Sequence, residues 1–152
     1  MPLAPADAAV LTDLLGREPR AACTIVVRSD DGRPLVIRNA PFLDDGTPMP
    51  TRYWLVDPEL TTRVSRIESN GGVRAAERSV DRGALRAAHD AYAAERDAEI
   101  APDHPGPRPT GGVAGTRTGV KCLHAHYAYF LAGGDDPVGR WVAEHLAAED
   151  RR

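Results

Sequence analysis

The sequence predicts an α+β fold, with a small and mainly antiparallel sheet near the N-terminus, between Cys23 and Val56, packed by C-terminal helices. Short β-branched runs cluster before residue 57, whereas apolar residues at helical spacing dominate after it. Strands first and helices later argue against alternating βαβ units. With 152 residues and 42% hydrophobic content, the chain fits one domain over residues 1–152.

The N-terminal elements follow from spacing and turn residues. Residues 6–15 are expected to form a helix, because apolar side chains recur at helical spacing and Gly16 can end it. Two β-branched runs, 24–27 and 35–37, are joined by the turn sequence Ser29-Asp30-Asp31-Gly32. This pattern predicts a β-hairpin.

A third strand and a second helix are expected next. Residues 42–50 are rich in turn formers and predict a loop, after which residues 52–56 are typical of a strand. Asp57-Pro58 combines an N-cap acid with proline at the first helical position, and Asn70-Gly71 can end that helix. Residues 73–78 are predicted to add a short strand.

The C-terminal half is predicted to hold three helices around one irregular loop. A long helix is expected from Ser79 to about Ile100. Residues 101–119 hold four of the thirteen prolines and five of the fourteen glycines, which predicts a loop. Helices from Val120 to Leu131 and from Asp136 onward complete the fold.

The richest chemistry lies where this loop meets the predicted helix at Val120. Glycines allow a ligand to approach the backbone, Arg117 and Lys121 supply positive charge, and a helix N-terminus attracts anions. We therefore expect a phosphate or carboxylate to bind at Gly119, Arg117 and Lys121, with Arg96 as a further cation. The segment lacks the phosphate-binding P-loop pattern, and the alternative is a plain connector.

Cys122, His124 and His89 are the candidate catalytic residues. Either histidine could act as an acid or base, and Cys122 could be a nucleophile, since a nearby helix N-terminus and Lys121 favour its thiolate. Cys122 and His126 share a helical face and could hold a metal only with a distant third ligand, such as Cys23 or His89. We assign no metal ligand and no cofactor.

Two further features could border a cleft shared by the anion site and the candidate catalytic residues. On the long helix, His89, Tyr92 and Arg96 follow Leu85 along one stripe, either as a polar wall or as side chains extending to solvent. Asp45 and Thr47 lie on a loop ahead of a strand, where functional residues are commonly presented. We expect this loop at the mouth of the cleft.

Composition excludes several classes. A net charge of −3 argues against a general nucleic-acid-binding protein. The sequence contains no apolar run long enough to span a membrane, and its first residues do not have the pattern of a secretory signal. The chain is therefore expected to be cytoplasmic, with Cys23 and Cys122 as free thiols.

The chain resembles a bacterial family, largely actinobacterial, known as domain of unknown function 501. The resemblance covers about residues 20–142 and is carried by Gly32-Arg33-Pro34-Leu35-Val36, Asp45-Gly46-Thr47-Pro48-Met49-Pro50-Thr51-Arg52-Tyr53-Trp54-Leu55, Ala88-His89-Asp90-Ala91-Tyr92-Ala93-Ala94-Glu95-Arg96-Asp97 and Val120-Lys121-Cys122-Leu123-His124. The chain departs from the family pattern at Ser29 and near Asp57, where members often carry cysteine. His126 is less characteristic of the family than His124.

The resemblance implies a cytoplasmic bacterial protein without an established activity, and two functions compete. The first is a site for an anionic small molecule, with or without catalysis. The second is a non-catalytic module that binds a partner protein, with a link to cell division. Family genes tend to lie near cell-division and phosphate-metabolism genes, which suits either function. The first function is favoured if one open cleft contains His89, Arg96, Lys121 and His124. The second is favoured if these side chains are buried and satisfy one another's hydrogen bonds.

Overall fold

The computed structural model describes residues 3–152, and its elements confirm the α+β prediction. In that range they run, in chain order, α1 (Pro5–Leu15), β1 (Cys23–Arg28), β2 (Pro34–Asn39), β3 (Tyr53–Leu55), α2 (Pro58–Ser69), α3 (Gly72–Ser79), α4 (Arg82–Asp97), a short 3-10 turn (Val113–Gly115), α5 (Leu123–Leu131) and α6 (Pro137–Asp150). None of the described helices combines the length and the apolar character needed to cross a membrane.

The sheet is antiparallel with β2 in the centre, in the order β1-β2-β3. The predicted hairpin is present, and its turn is closed by the Ser29 N–H donating to the Arg33 carbonyl. Ile37 of β2 pairs with Ile25 on one side and Trp54 on the other. Because side chains alternate along a strand, β2 contributes to a core on each face of the sheet.

Helices cover both faces. Ile37 packs with Leu11 of α1 on one face. On the other face Val36 and Tyr53 pack with α4 and α5, where Tyr92 and Ala128 complete the layer. A third cluster holds the helices together and consists of Val64, Ala76, Leu85, Leu123, Tyr127, Val138, Val142 and Leu146.

The predicted acidic caps are confirmed. The Asp57 carboxylate accepts from the Leu60 N–H at 3.0 Å and begins α2. Asp136 accepts from the Val138 N–H at 2.9 Å and begins α6. Each cap satisfies backbone donors that a helix start otherwise leaves unpaired.

The strand predicted over residues 73–78 is wrong, because these residues belong to α3. Gly71 adopts a φ of +84°, a left-handed conformation that glycine tolerates, and separates α2 from α3. Ala76 is then fully buried, and Val73 and Val80 pack on the same cluster. These three apolar residues lie three or four apart, which is helical spacing.

The predicted start of α5 at Val120 is also wrong, because the helix begins at Leu123. Cys122 is the N-cap and has extended backbone angles, φ −144° and ψ 118°. Lys121 therefore precedes the helix instead of lying in its first turn, and its side chain is exposed.

Candidate functional site

The polar stripe of α4 points inward and bonds to the backbone of neighbouring segments. The buried Tyr92 hydroxyl accepts from the N–H groups of Arg52 and Tyr53, at 2.5 and 3.1 Å. Burial raises the pKa of Tyr92 to about 12. Tyr92 thus fixes the start of β3 on α4.

His89 is buried and forms hydrogen bonds to two points of the loop over residues 101–119, here called the Pro/Gly-rich loop. Its Nδ1 accepts from the Val113 N–H at 3.1 Å, so the ring proton lies on Nε2, which donates to the Gly119 carbonyl at 2.9 Å. Burial lowers the pKa of His89 and favours this neutral form. Both ring nitrogens are therefore used within the protein.

Arg96 is almost fully buried and holds two loops together. Its Nη1 donates to the carbonyls of Pro50 and Gly111, at 3.1 and 3.0 Å, and its Nε pairs with Asp97 at 2.9 Å. The loop before β3 and the loop after α4 therefore meet at one guanidinium. The sequence did not indicate this role for Arg96.

An open groove of about 610 Å³ lies between α4 and the loop that His89 and Arg96 hold. Its walls are formed by Arg86, His89, Asp90, Ala93, Arg96, Asp97, Pro109, Thr110, Gly111, Gly112, Arg117 and Thr118. Arg86 and Arg117 are exposed, and neither forms an ion pair with any acid between residues 3 and 152. The groove is thus lined by two guanidinium groups without an acidic partner among the described residues, one from α4 and one from the loop.

Several predicted residues do not line this groove. Lys121, Gly119, Asp45 and Thr47 are all outside its walls. The Asp45 carboxylate accepts from the Thr47 N–H at 3.0 Å and closes its own turn. Their assignments as anion-binding or cleft residues remain predictions.

The backbone around Lys121 is already bonded to carboxylates of the protein. Glu77 accepts from the Val120 N–H at 2.7 Å, and Glu68 accepts from the Leu123 N–H at 2.8 Å. An external anion at the start of α5 would have to displace one of these side chains.

Cys122 and His124 do come together, in a second cluster with Glu68 of α2. Cys122 Sγ lies 3.9 Å from His124 Nδ1, and the same nitrogen lies 3.3 Å from Glu68 Oε1. His124 Nε2 bonds to the Thr61 carbonyl at 3.0 Å. Glu68, which sequence reasoning missed, comes from the last turn of a distant helix.

The electrostatics of this cluster favour a positive charge on His124. Its contact with Cys122 raises the pKa of His124 to about 9, helped by the Thr61 carbonyl and the Glu68 carboxylate, while burial opposes the shift. Groups that can carry negative charge thus surround the half-buried imidazole.

The metal pairing of Cys122 with His126 is not formed. Because α5 begins after Cys122, the two residues do not share a helical face. His126 is fully buried, and its Nδ1 bonds to Asp136 at 2.6 Å. It thereby couples α5 to the cap of α6.

The predicted single cleft is thus divided. His89, Arg96 and Arg117 line the groove between α4 and the Pro/Gly-rich loop. Cys122 and His124 lie close to Glu68, and none of these three residues lines that groove. Arg86, one turn before His89 on α4, was also missed, although its spacing of three residues from His89 was a usable signal.

Comparisons with known proteins give one family match. No curated protein and no solved structure matches the chain. The family model described as protein of unknown function (DUF501) matches residues 25–144, which is more than half of the chain. The chain therefore belongs to the DUF501 family.

Proposed function

We propose that this protein binds an anionic small molecule, carrying a phosphate or carboxylate group, in the groove between α4 and the Pro/Gly-rich loop. One observation carries the proposal: Arg86 of α4 and Arg117 of the loop line the same groove, and neither has an acidic partner among residues 3–152. A volume of about 610 Å³ suits a ligand of nucleotide or sugar-phosphate size.

The groove offers suitable chemistry for such a ligand. A guanidinium presents several donors in a planar fork that matches phosphate and carboxylate oxygens. Both arginines are exposed, so water weakens each single contact and the two guanidinium groups must act together on the anion. Asp90 and Asp97 also line it, so the preferred ligand carries hydroxyl or amine donors beside its anionic group.

The state of His89 supports binding more than catalysis in this groove. A general base needs a ring nitrogen that can reach the substrate, but both nitrogens of His89 bond to the loop backbone. The same internal satisfaction of His89 and Arg96 is what the interaction-module alternative requires. That alternative, including its link to cell division, therefore stays open as the second candidate.

The test is thermal unfolding of the native protein with inorganic phosphate, sulfate and a panel of nucleotides. A ligand at about 100 times its Kd adds about 2.7 kcal/mol, which for a chain of this size raises Tm by roughly 5–10 °C. Arg86→Gln and Arg117→Gln should each reduce that rise, and the double variant should remove it. Lys121→Ala is the matched control and should keep it.

Two results would overturn the proposal. One is no rise in Tm with any of these anions at millimolar concentration, which would leave the interaction module as the surviving candidate. The other is a rise that Lys121→Ala removes and the arginine variants retain, which would move the anion to the start of α5.

A further inference from the structure

We infer that Glu68, Cys122 and His124 form a binding site for a thiophilic divalent cation, with Zn²⁺ as its natural occupant. The cluster contributes one thiol sulfur, one imidazole nitrogen and one carboxylate oxygen, all within 4.8 Å of one another. None of the three residues lines the groove between α4 and the Pro/Gly-rich loop, so the inference does not depend on the function proposed for that groove.

The spacing of the donor atoms fits a small cation. Zinc bonds of about 2.0–2.3 Å in a tetrahedron separate neighbouring ligand atoms by roughly 3.3–3.8 Å. Nδ1 of His124 lies 3.3 Å from Glu68 Oε1 and 3.9 Å from Cys122 Sγ. These two separations are within a few tenths of an ångström of that range, and the third, from the sulfur to the carboxylate, is at most 4.8 Å.

The surrounding contacts hold the ligand atoms in position. The Thr61 carbonyl accepts a hydrogen bond from His124 Nε2. Metal binding displaces the proton from Nδ1, the nitrogen that lies beside the sulfur and the carboxylate. The Leu123 N–H holds the other oxygen of Glu68. Metal-binding histidines and carboxylates in proteins are oriented by outer contacts of this kind.

The composition of the site selects the metal and leaves one position open. Thiolate and imidazole favour Zn²⁺ over Mg²⁺ or Ca²⁺, which prefer oxygen ligands. Among residues 3–152 the cluster supplies three ligands, and the side chains of His124 and Glu68 are 22% and 26% exposed. Water can therefore complete the tetrahedron, as in sites where zinc activates a bound water.

The experiment uses Co²⁺ as a spectroscopic substitute for Zn²⁺ in the purified, chelator-treated full chain. We expect one equivalent of Co²⁺ to give a thiolate-to-metal charge-transfer band that one equivalent of Zn²⁺ removes. Cys122→Ser should abolish the band and still fold, because serine is a good N-cap for α5. Cys23→Ser, which alters the other free cysteine, is the matched control and should keep the band.

Glu68→Gln tests the carboxylate ligand and should weaken Co²⁺ binding by roughly tenfold or more. Replacing a residue that only contacts a metal ligand already lowers metal affinity by about that factor. The inference is overturned if the wild type shows no stoichiometric band, or if Cys122→Ser retains the same band. Rapid alkylation of Cys122 that Zn²⁺ does not slow would also overturn it, and would identify a thiolate–imidazolium pair with a reactive cysteine instead.

Discussion

At the scale of single residues, buried polar side chains of α4 bond to backbone groups in loops, in the short 3-10 turn and at the start of β3. Tyr92, His89 and Arg96 lie on one stripe of α4, and each bonds to two backbone groups of other segments. Buried backbone groups without a partner are costly, so these side chains stabilise segments that make few ladder hydrogen bonds of their own.

Tyr92→Phe should destabilise the fold more than Tyr53→Phe. The first change leaves two buried N–H groups without an acceptor, which costs about 1–3 kcal/mol for each group. The second removes only a bond to the part-exposed Glu95 and should cost about 1 kcal/mol. Urea unfolding measures both losses, and equal losses would contradict the role given to Tyr92.

His89 should make the fold sensitive to acid. Burial lowers its native pKa, with His126 and Asp136 nearby, so below about pH 6.5 the unfolded chain binds a proton that the native protein resists. Its contribution is complete above that pH and is lost as pH falls through the lowered pKa. The free energy of unfolding should therefore fall more steeply towards about pH 5 in the wild type than in His89→Gln, and parallel curves would refute this.

At the scale of elements, the sequence predicts the start of a helix that carries its own capping residue. It does not predict a start at which a side chain from a distant helix accepts the first N–H group. Asp57-Pro58 and Asp136-Pro137 carry their own caps, and both helices begin where expected. Cys122 is a weak N-cap, and Glu68 of a distant helix accepts from the first N–H group of α5 instead. No local pattern around Val120 reveals that carboxylate, so the predicted helix start is three residues too early.

Gly112 should be far less replaceable than Gly106 in the same loop. A Cβ on Gly112 would lie 2.6 Å from the Cβ of His89, whereas on Gly106 its nearest contact is His104 Nε2 at 3.5 Å. Gly112→Ala should push the loop off α4 and cost about 1–3 kcal/mol, whereas Gly106→Ala should cost little. Chemical unfolding compares the two, and equal stability of both variants would show that the loop is not pressed against α4.

At the scale of the whole molecule, the sequence was enough for the α+β architecture but not for the grouping of its reactive residues. The order of β-branched runs and helical stripes identifies the sheet and most helices. The grouping depends on which side of α4 and α5 each side chain lies. His89 and Arg96 border the groove with Arg117, while Cys122 and His124 meet Glu68, because α5 starts at Leu123.

The central claim is that an anion binds between α4 and the loop that His89 and Arg96 fasten to it. The most direct measurement is a two-dimensional amide NMR titration with the anion that raises Tm most, or with inorganic phosphate. The account predicts saturable shifts at Gly111, Gly112 and Thr118, and their loss in the Arg86→Gln, Arg117→Gln double variant. Shifts confined to Val120–Leu123, or no saturable shifts at millimolar anion, would contradict it.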